Sequence, residues 1–132
     1  MTYLSAVISF EDSTEKLSSC LQALVNWVPK IMVVLPDGEG TAKQIIDEFK
    51  ASVCVNRAST TQTRWEQGLS QMNSGWVLLM RSNEIITGKL RKEITAKVKS
   101  QENHFVRYLL LPRINIINIK LRLRELLQEQ SL

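Results

Sequence analysis

The feature that most constrains this chain is a regular alternation of short apolar runs with helical stripes. Residues 4–10 form a run with the length and composition of a buried strand. Leu17, Cys20, Leu21 and Leu24 then recur at the spacing of an amphipathic helix. Asp12 and Glu15 in front of them have capping-box spacing. Residues 31–35 are rich in β-branched side chains and predict a second strand. The turn-forming Pro36-Asp37-Gly38 breaks that strand, and Ala42, Ile45, Ile46 and Phe49 give a second stripe. Residues 53–55 read as a third strand. Ser59 to Gln62 offers a helix start ahead of Trp65, Leu69 and Met72. Residues 76–80 predict a strong fourth strand, Leu90, Ile94 and Val98 a fourth helix, and residues 105–111 a fifth strand.

A β-α-β-α-β-α-β order predicts an α/β domain of three layers, with a mostly parallel sheet covered by helices on both faces. Near-continuous apolar strands fit a sheet that is buried on both sides. Ligands of such sheets bind at the carboxyl ends of the strands. The segment after residue 113 is ambiguous. Residues 114–124 partly alternate, yet Ile116, Ile119 and Leu123 also fit a helical stripe. A terminal helix over residues 117–130 is the preferred reading, with domain bounds at 1–113 and a basic amphipathic segment at 114–132.

Charge is unevenly placed. Residues 1–56 carry four Lys and seven Asp/Glu, net −3, and residues 57–132 carry thirteen Lys/Arg and six Glu, net +7. The basic half suits phosphate, anionic lipid or nucleic acid. Nucleic acid is the least favoured of these, because no recognised motif is present and aromatic residues make up only 6%. The apolar runs are too short to cross a bilayer, and the first residues have no secretory pattern, so a cytoplasmic address is expected. Cys20 and Cys54 read as buried free thiols, His104 as a surface or strand-edge residue, and Trp27, Trp65 and Trp76 as core residues.

The order of these motifs resembles the nucleotide-sugar-binding half of family 2 glycosyltransferases over about residues 4–113. Leu4-Ser-Ala-Val-Ile8 followed by Ser9-Phe10-Glu11-Asp12 resembles the family's first strand and its T-x-N-E type ending. Cys20-Leu21 with Trp27-Val-Pro-Lys-Ile-Met-Val-Val34 resembles C-L-x-S…W-x-D-E-I-[IV]-V-V. Gly68-Leu-Ser-Gln-Met-Asn-Ser-Gly-Trp-Val-Leu-Leu-Met80 resembles A-L-x-x-A-x-G-D-W-[VI]-L-x-[LI]. Glu84-Ile-Ile-Thr-Gly-Lys-Leu-Arg-Lys-Glu-Ile94 resembles D-E-x-[VI]-x-P-E-L-x-x-E-I, closest in flavour to the branch that builds lipopolysaccharide cores.

The resemblance implies a GT-A, Rossmann-like fold and a nucleoside-diphosphate sugar as ligand. It also implies a divalent metal held by a D-x-D motif, since a leaving diphosphate needs a neutralising cation. Here that motif reads Arg81-Ser82-Asn83-Glu84, and an arginine repels Mg²⁺ rather than ligating it. The family's acidic residue after the second strand is displaced to Asp37. In the family an acceptor-binding half follows and usually holds the catalytic base, and Pro112-Arg113-Ile114-Asn115 resembles its start.

The expectation is a degenerate, non-catalytic domain that binds a nucleotide, a nucleotide-sugar or a protein partner. The alternative is a metal-independent or partner-assisted transferase in which Arg81, with Arg57 or Arg64, pairs with the diphosphate. Candidate nucleotide contacts are Ser9, Phe10, Glu11, Asp37, Arg57, Arg64, Arg81, Asn83 and Glu84. No catalytic residue or resident cofactor is expected, and Mn²⁺ or Mg²⁺ would bind only if the altered motif still held it. Lys120, Arg122 and Arg124 between apolar residues point to a homodimer or partner-subunit contact, with the inner face of a membrane as the other option.

Overall fold

The elements follow the apolar runs and stripes of the sequence, except after residue 113. In chain order these are strand β1 (Leu4–Ser9), helix α1 (Thr14–Gln22), β2 (Lys30–Leu35), α2 (Thr41–Glu48), β3 (Ser52–Val55), α3 (Thr61–Leu69), β4 (Trp76–Arg81), α4 (Gly88–Ser100), β5 (Tyr108–Leu111) and β6 (Ile114–Asn118). The computed structural model describes residues 4–11, 13–37, 40–57, 60–72, 75–100, 108–111 and 114–118.

The strands form one sheet in the order β3-β2-β1-β4-β6-β5. The first four are parallel, β6 runs antiparallel to β4, and β5 antiparallel to β6. The chain steps outward from β1 through β2 to β3, then returns past β1 to β4. Because crossovers are right-handed, this reversal puts α3 on the opposite face from α1 and α2. The two cores show the result. Ala6, Ile8, Val33, Leu78 and Met80 pack with Leu17, Cys20 and Leu21 of α1, Ile46 of α2, and Ile94 and Val98 of α4. The alternate residues Val7, Val34, Val77 and Leu79 pack with Trp65 and Leu69 of α3 and with Met72.

Helix α3 lies close against the sheet because residue 68 is glycine. A Cβ there would stand 2.3 Å from Val7 Cγ1. At the end of α2 the backbone closes a Schellman turn. Ala51 N donates to Ile46 O and Lys50 N to Asp47 O, which leaves Lys50 left-handed at φ 58°.

Several expectations need correction. The N-cap of α1 is Ser13, whose hydroxyl accepts from Lys16 N, and Asp12 lies outside the described residues. The N-cap of α3 is Thr60, accepting from Thr63 N, one residue after the expected start. Cys20 is buried, but Cys54 is only half-buried. The expected helix over residues 117–130 does not begin at Ile117. Ile117 and Asn118 belong to β6, paired with Val77 and Trp76 of β4. Without β6, β4 would present an unpaired row of backbone donors and acceptors, so sheet pairing outweighs the local helical stripe. The remainder of that segment, His104, and residues 105–107 of the expected fifth strand lie outside the described residues.

Candidate functional site

In an open α/β sheet the ligand crevice forms where the strand order reverses. Here that point lies between β1 and β4. Ser9 and Arg81 are paired across it at their carboxyl ends, and Ser82 N donates to Ser9 O at 2.9 Å. Phe10 N still donates to Val34 O, and beyond Phe10 and Ser82 the chain leaves the ladder, so side chains can meet across the crevice.

They meet at Glu11. Its Oε2 accepts from Arg64 Nη2 at 3.0 Å, and its Oε1 from Thr61 Oγ1 at 2.8 Å. Arg81 Nε stands 3.4 Å from Oε1. Ser82 Oγ fixes the Glu11 backbone by accepting from its N–H at 2.8 Å. One carboxylate is thereby shared by two guanidinium groups and one hydroxyl, supplied by β1, α3 and the end of β4.

The two arginines occupy different environments. The Arg64 side chain is 9% exposed, and its Nε donates to Ser9 Oγ at 2.6 Å. Paired this way, the buried guanidinium is fixed in place. The Arg81 side chain is 49% exposed. It lies over the Trp65 ring with Cζ 5.6 Å from the centroid. Trp65 is itself anchored, since its Nε1 donates to Met80 O at 2.8 Å. Glu84 Oε1 accepts from Arg81 N at 2.7 Å, and Glu84 N donates to Arg81 O, which closes the turn after β4. Arg81 thus presents a positioned, half-exposed cation whose Nε faces Glu11.

The structure brings Ser9, Glu11, Arg64, Arg81 and Glu84 into this single network. Phe10, also a sequence candidate, packs its ring against the α1–α2–α4 core. Asn83 is exposed in the turn, and Asp37 and Arg57 are exposed after β2 and β3, along the same edge of the sheet. Sequence reasoning missed Thr61, Ser82 and the role of Trp65 as a platform. Thr61 and Trp65 were visible as first-turn and stripe positions of α3, but nothing local links them to Glu11.

The donor set does not fit a divalent cation. Glu11 is already bound by two guanidinium groups, Glu84 is held by the Arg81 backbone, and Arg81 itself would repel the ion. Among the described residues no group of three or more His, Cys, Asp or Glu is placed to hold a metal. Behind the turn, burial pushes the Cys20 thiol up to about 12, with the nearby Glu84 charge adding to the effect.

No protein-family model and no curated protein matches this sequence. Solved structures share its fold. A cytidylyltransferase from Leptospira borgpetersenii serovar Hardjo-bovis is 12% identical with a TM-score of 0.68, over 99% of this chain and 64% of that one. This chain therefore spans less than two thirds of that protein's length. Rv0371c from Mycobacterium tuberculosis H37Rv is 11% identical with a TM-score of 0.60, over 96% and 76% of the two chains. A CMP:2-keto-3-deoxy-manno-octonic acid synthetase, solved with CTP, is 9% identical with a TM-score of 0.61, over 98% and 78%. The chain has the Rossmann-like α/β fold of these solved structures. No helix among the described residues is long and apolar enough to cross a membrane.

Proposed function

We propose that this chain is a nucleotide- or nucleotide-sugar-binding domain that transfers no sugar itself and meets its ligand's phosphate with arginine in place of a metal. The observation that carries this reading is the half-exposed Arg81. It is held over Trp65 and against Glu11 at the crevice between β1 and β4. Guanidinium forks match phosphate oxygens in pairs, and a cation placed before the ligand arrives needs no reorganisation. In this reading Arg64 is a positioning residue that holds Glu11, and Arg57 and Asn83 are further ligand contacts. The nucleotidyltransferases of the same fold, one of them solved with CTP, support a nucleotide as ligand.

The finer part of the reading is a degenerate member of the family 2 glycosyltransferase type, serving lipopolysaccharide or another cell-surface glycan. The motif order from β1 through the start of α4 supports it. So does the replacement of both D-x-D carboxylates by Arg81 and Asn83. Pairing with a second copy through the segment after Asn118, and a cytoplasmic address near the inner membrane face, belong to the same reading.

The test is a thermal-shift and turnover panel of nucleoside mono-, di- and triphosphates and their sugars, run in EDTA, Mg²⁺ and Mn²⁺. Ligand-induced stabilisation in EDTA without sugar release supports the proposal. Sugar release above background replaces it with the partner-assisted transferase reading. No stabilisation by any nucleotide overturns it.

A further inference from the structure

Helix α4 holds five basic residues and one acid, a net charge equal to the +4 of the whole chain. The rest of the sequence carries twelve basic and twelve acidic residues and is neutral. The charge is also arranged. Ile94 and Val98 are buried in the core. At 100° per residue, Lys89, Lys92 and Lys99 fall on the opposite side of the helix, with Ala96 between them. All four are exposed. None of the three lysines is paired with a carboxylate among the described residues, and Glu93 lies to one side of the stripe. Arg91 does different work, resting over the Trp27 ring with Cζ 5.3 Å from its centroid and tying α4 to the rest of the fold.

A second observation precedes the helix in sequence. Ile85, three residues before α4, is 54% exposed, while its neighbour Ile86 is 5% exposed and packs in the core. The turn is therefore seated, and its outer isoleucine still faces water.

We infer that the outer face of α4, with Ile85 at its leading end, is a peripheral docking surface for an anionic phospholipid bilayer. Lysines are point charges that need no geometric match, which suits a diffuse layer of headgroups. The small Ala96 lets the row approach a flat surface closely, over about 15 Å of helix. Ile85 supplies an apolar contact that water-exposed lysines alone lack. Nucleic acid fits less well, because the large apolar residues exposed among the described ones are Val55 and Ile85, neither of which is an aromatic stacking platform. Because the turn holding Ile85 leads directly from Arg81, docking would set the β1–β4 crevice beside the membrane surface. The docking inference does not depend on what that crevice binds.

Co-sedimentation of the full chain tests this. The probes are phosphatidylcholine vesicles, vesicles with about one third phosphatidylglycerol, and a double-stranded oligonucleotide. The expected result is binding to the anionic vesicles alone, lowered roughly a hundredfold by Lys89→Gln/Lys92→Gln/Lys99→Gln. Ile85→Ser lowers it by about tenfold, and that loss persists in high salt while the lysine effect fades. Circular dichroism and melting confirm that both variants stay folded. Failure to bind anionic vesicles overturns the inference. So does a triple variant that binds as the wild type, which would assign membrane contact to another part of the chain. Tighter binding to the oligonucleotide than to vesicles overturns it as well.

Discussion

Arg64 on helix α3 holds Glu11 at the end of β1, with Nη2 3.0 Å from Oε2 across 53 residues of sequence. The contact ties the helix on one face of the sheet to the loop that opens toward the crevice. Removing the cation leaves a largely buried carboxylate short of a donor, and strips Ser9 Oγ of its partner. Arg64→Met should therefore destabilise the fold by about 3 kcal/mol. Adding Glu11→Gln should recover part of that loss, because no carboxylate short of a donor then remains and the half-exposed Arg81 can be solvated. Urea denaturation of the two single variants and the double variant measures the coupling. Losses that simply add would show that the pair is not coupled.

The approach of α3 to β1 depends on Gly68 and Val7. A methyl group at residue 68 meets the β-branched Val7, which has little freedom to turn away. Gly68→Ala should cost about 1–3 kcal/mol by overpacking, despite alanine's better helix propensity. Shortening the opposing side chain makes room, so Gly68→Ala should cost less in a Val7→Ala background than in the wild type. Melting temperatures across this cycle decide the point. An equal cost in both backgrounds would place the strain elsewhere.

Lys50 carries the left-handed turn that ends α2. A side chain in that conformation is strained, whereas glycine is not. Lys50→Gly should stabilise the fold by about 1 kcal/mol, an unusual direction for a glycine substitution. Chemical denaturation that showed a loss instead would mean that the Lys50 side chain contributes more than its backbone costs.

The buried Cys20 gives a pH signature. Its thiol is raised from 9.0 to about 12, so the folded state keeps its proton over a range where the unfolded chain releases it. The stabilising contribution is complete below pH 9 and falls as pH rises toward 12, by roughly 1.4 kcal/mol per unit. Cys20→Ala should be destabilising by about 1 kcal/mol at pH 7 through lost packing. The gap to wild type should close, then reverse, above pH 9. Urea melts at pH 7 and pH 10 test the sign.

The sequence carried the helices well, because their stripes are periodic and each faces a core. Leu17, Cys20, Leu21 and Leu24 are all buried, as are Ile94 and Val98. The strands were legible as apolar runs because both faces of the sheet are covered. Caps moved by one residue, since Asp12 and Ser13, or Ser59 and Thr60, are chemically competent neighbours and only geometry chooses between them. Ile117 was misread because its local pattern fits either period, and the deciding partner, Val77, is distant in sequence. The same separation hid the site. Glu11 and Arg81 mark strand ends and could be found by topology. That Arg64 and Thr61 converge on Glu11, and that Trp65 lies under Arg81, are tertiary facts with no local signal.

In the proposed function Arg81 stands where a metal would otherwise meet a nucleotide's phosphate. Calorimetric titration of UDP, UDP-sugars, CTP and CMP into wild-type protein and Arg81→Ala, each with Mn²⁺ and with EDTA, addresses it directly. The expected result is binding that is unchanged by EDTA and weakened about ten- to a hundredfold by Arg81→Ala, the loss expected for a charged hydrogen bond. Binding that requires Mn²⁺ and survives Arg81→Ala, or no binding to any nucleotide, would contradict it.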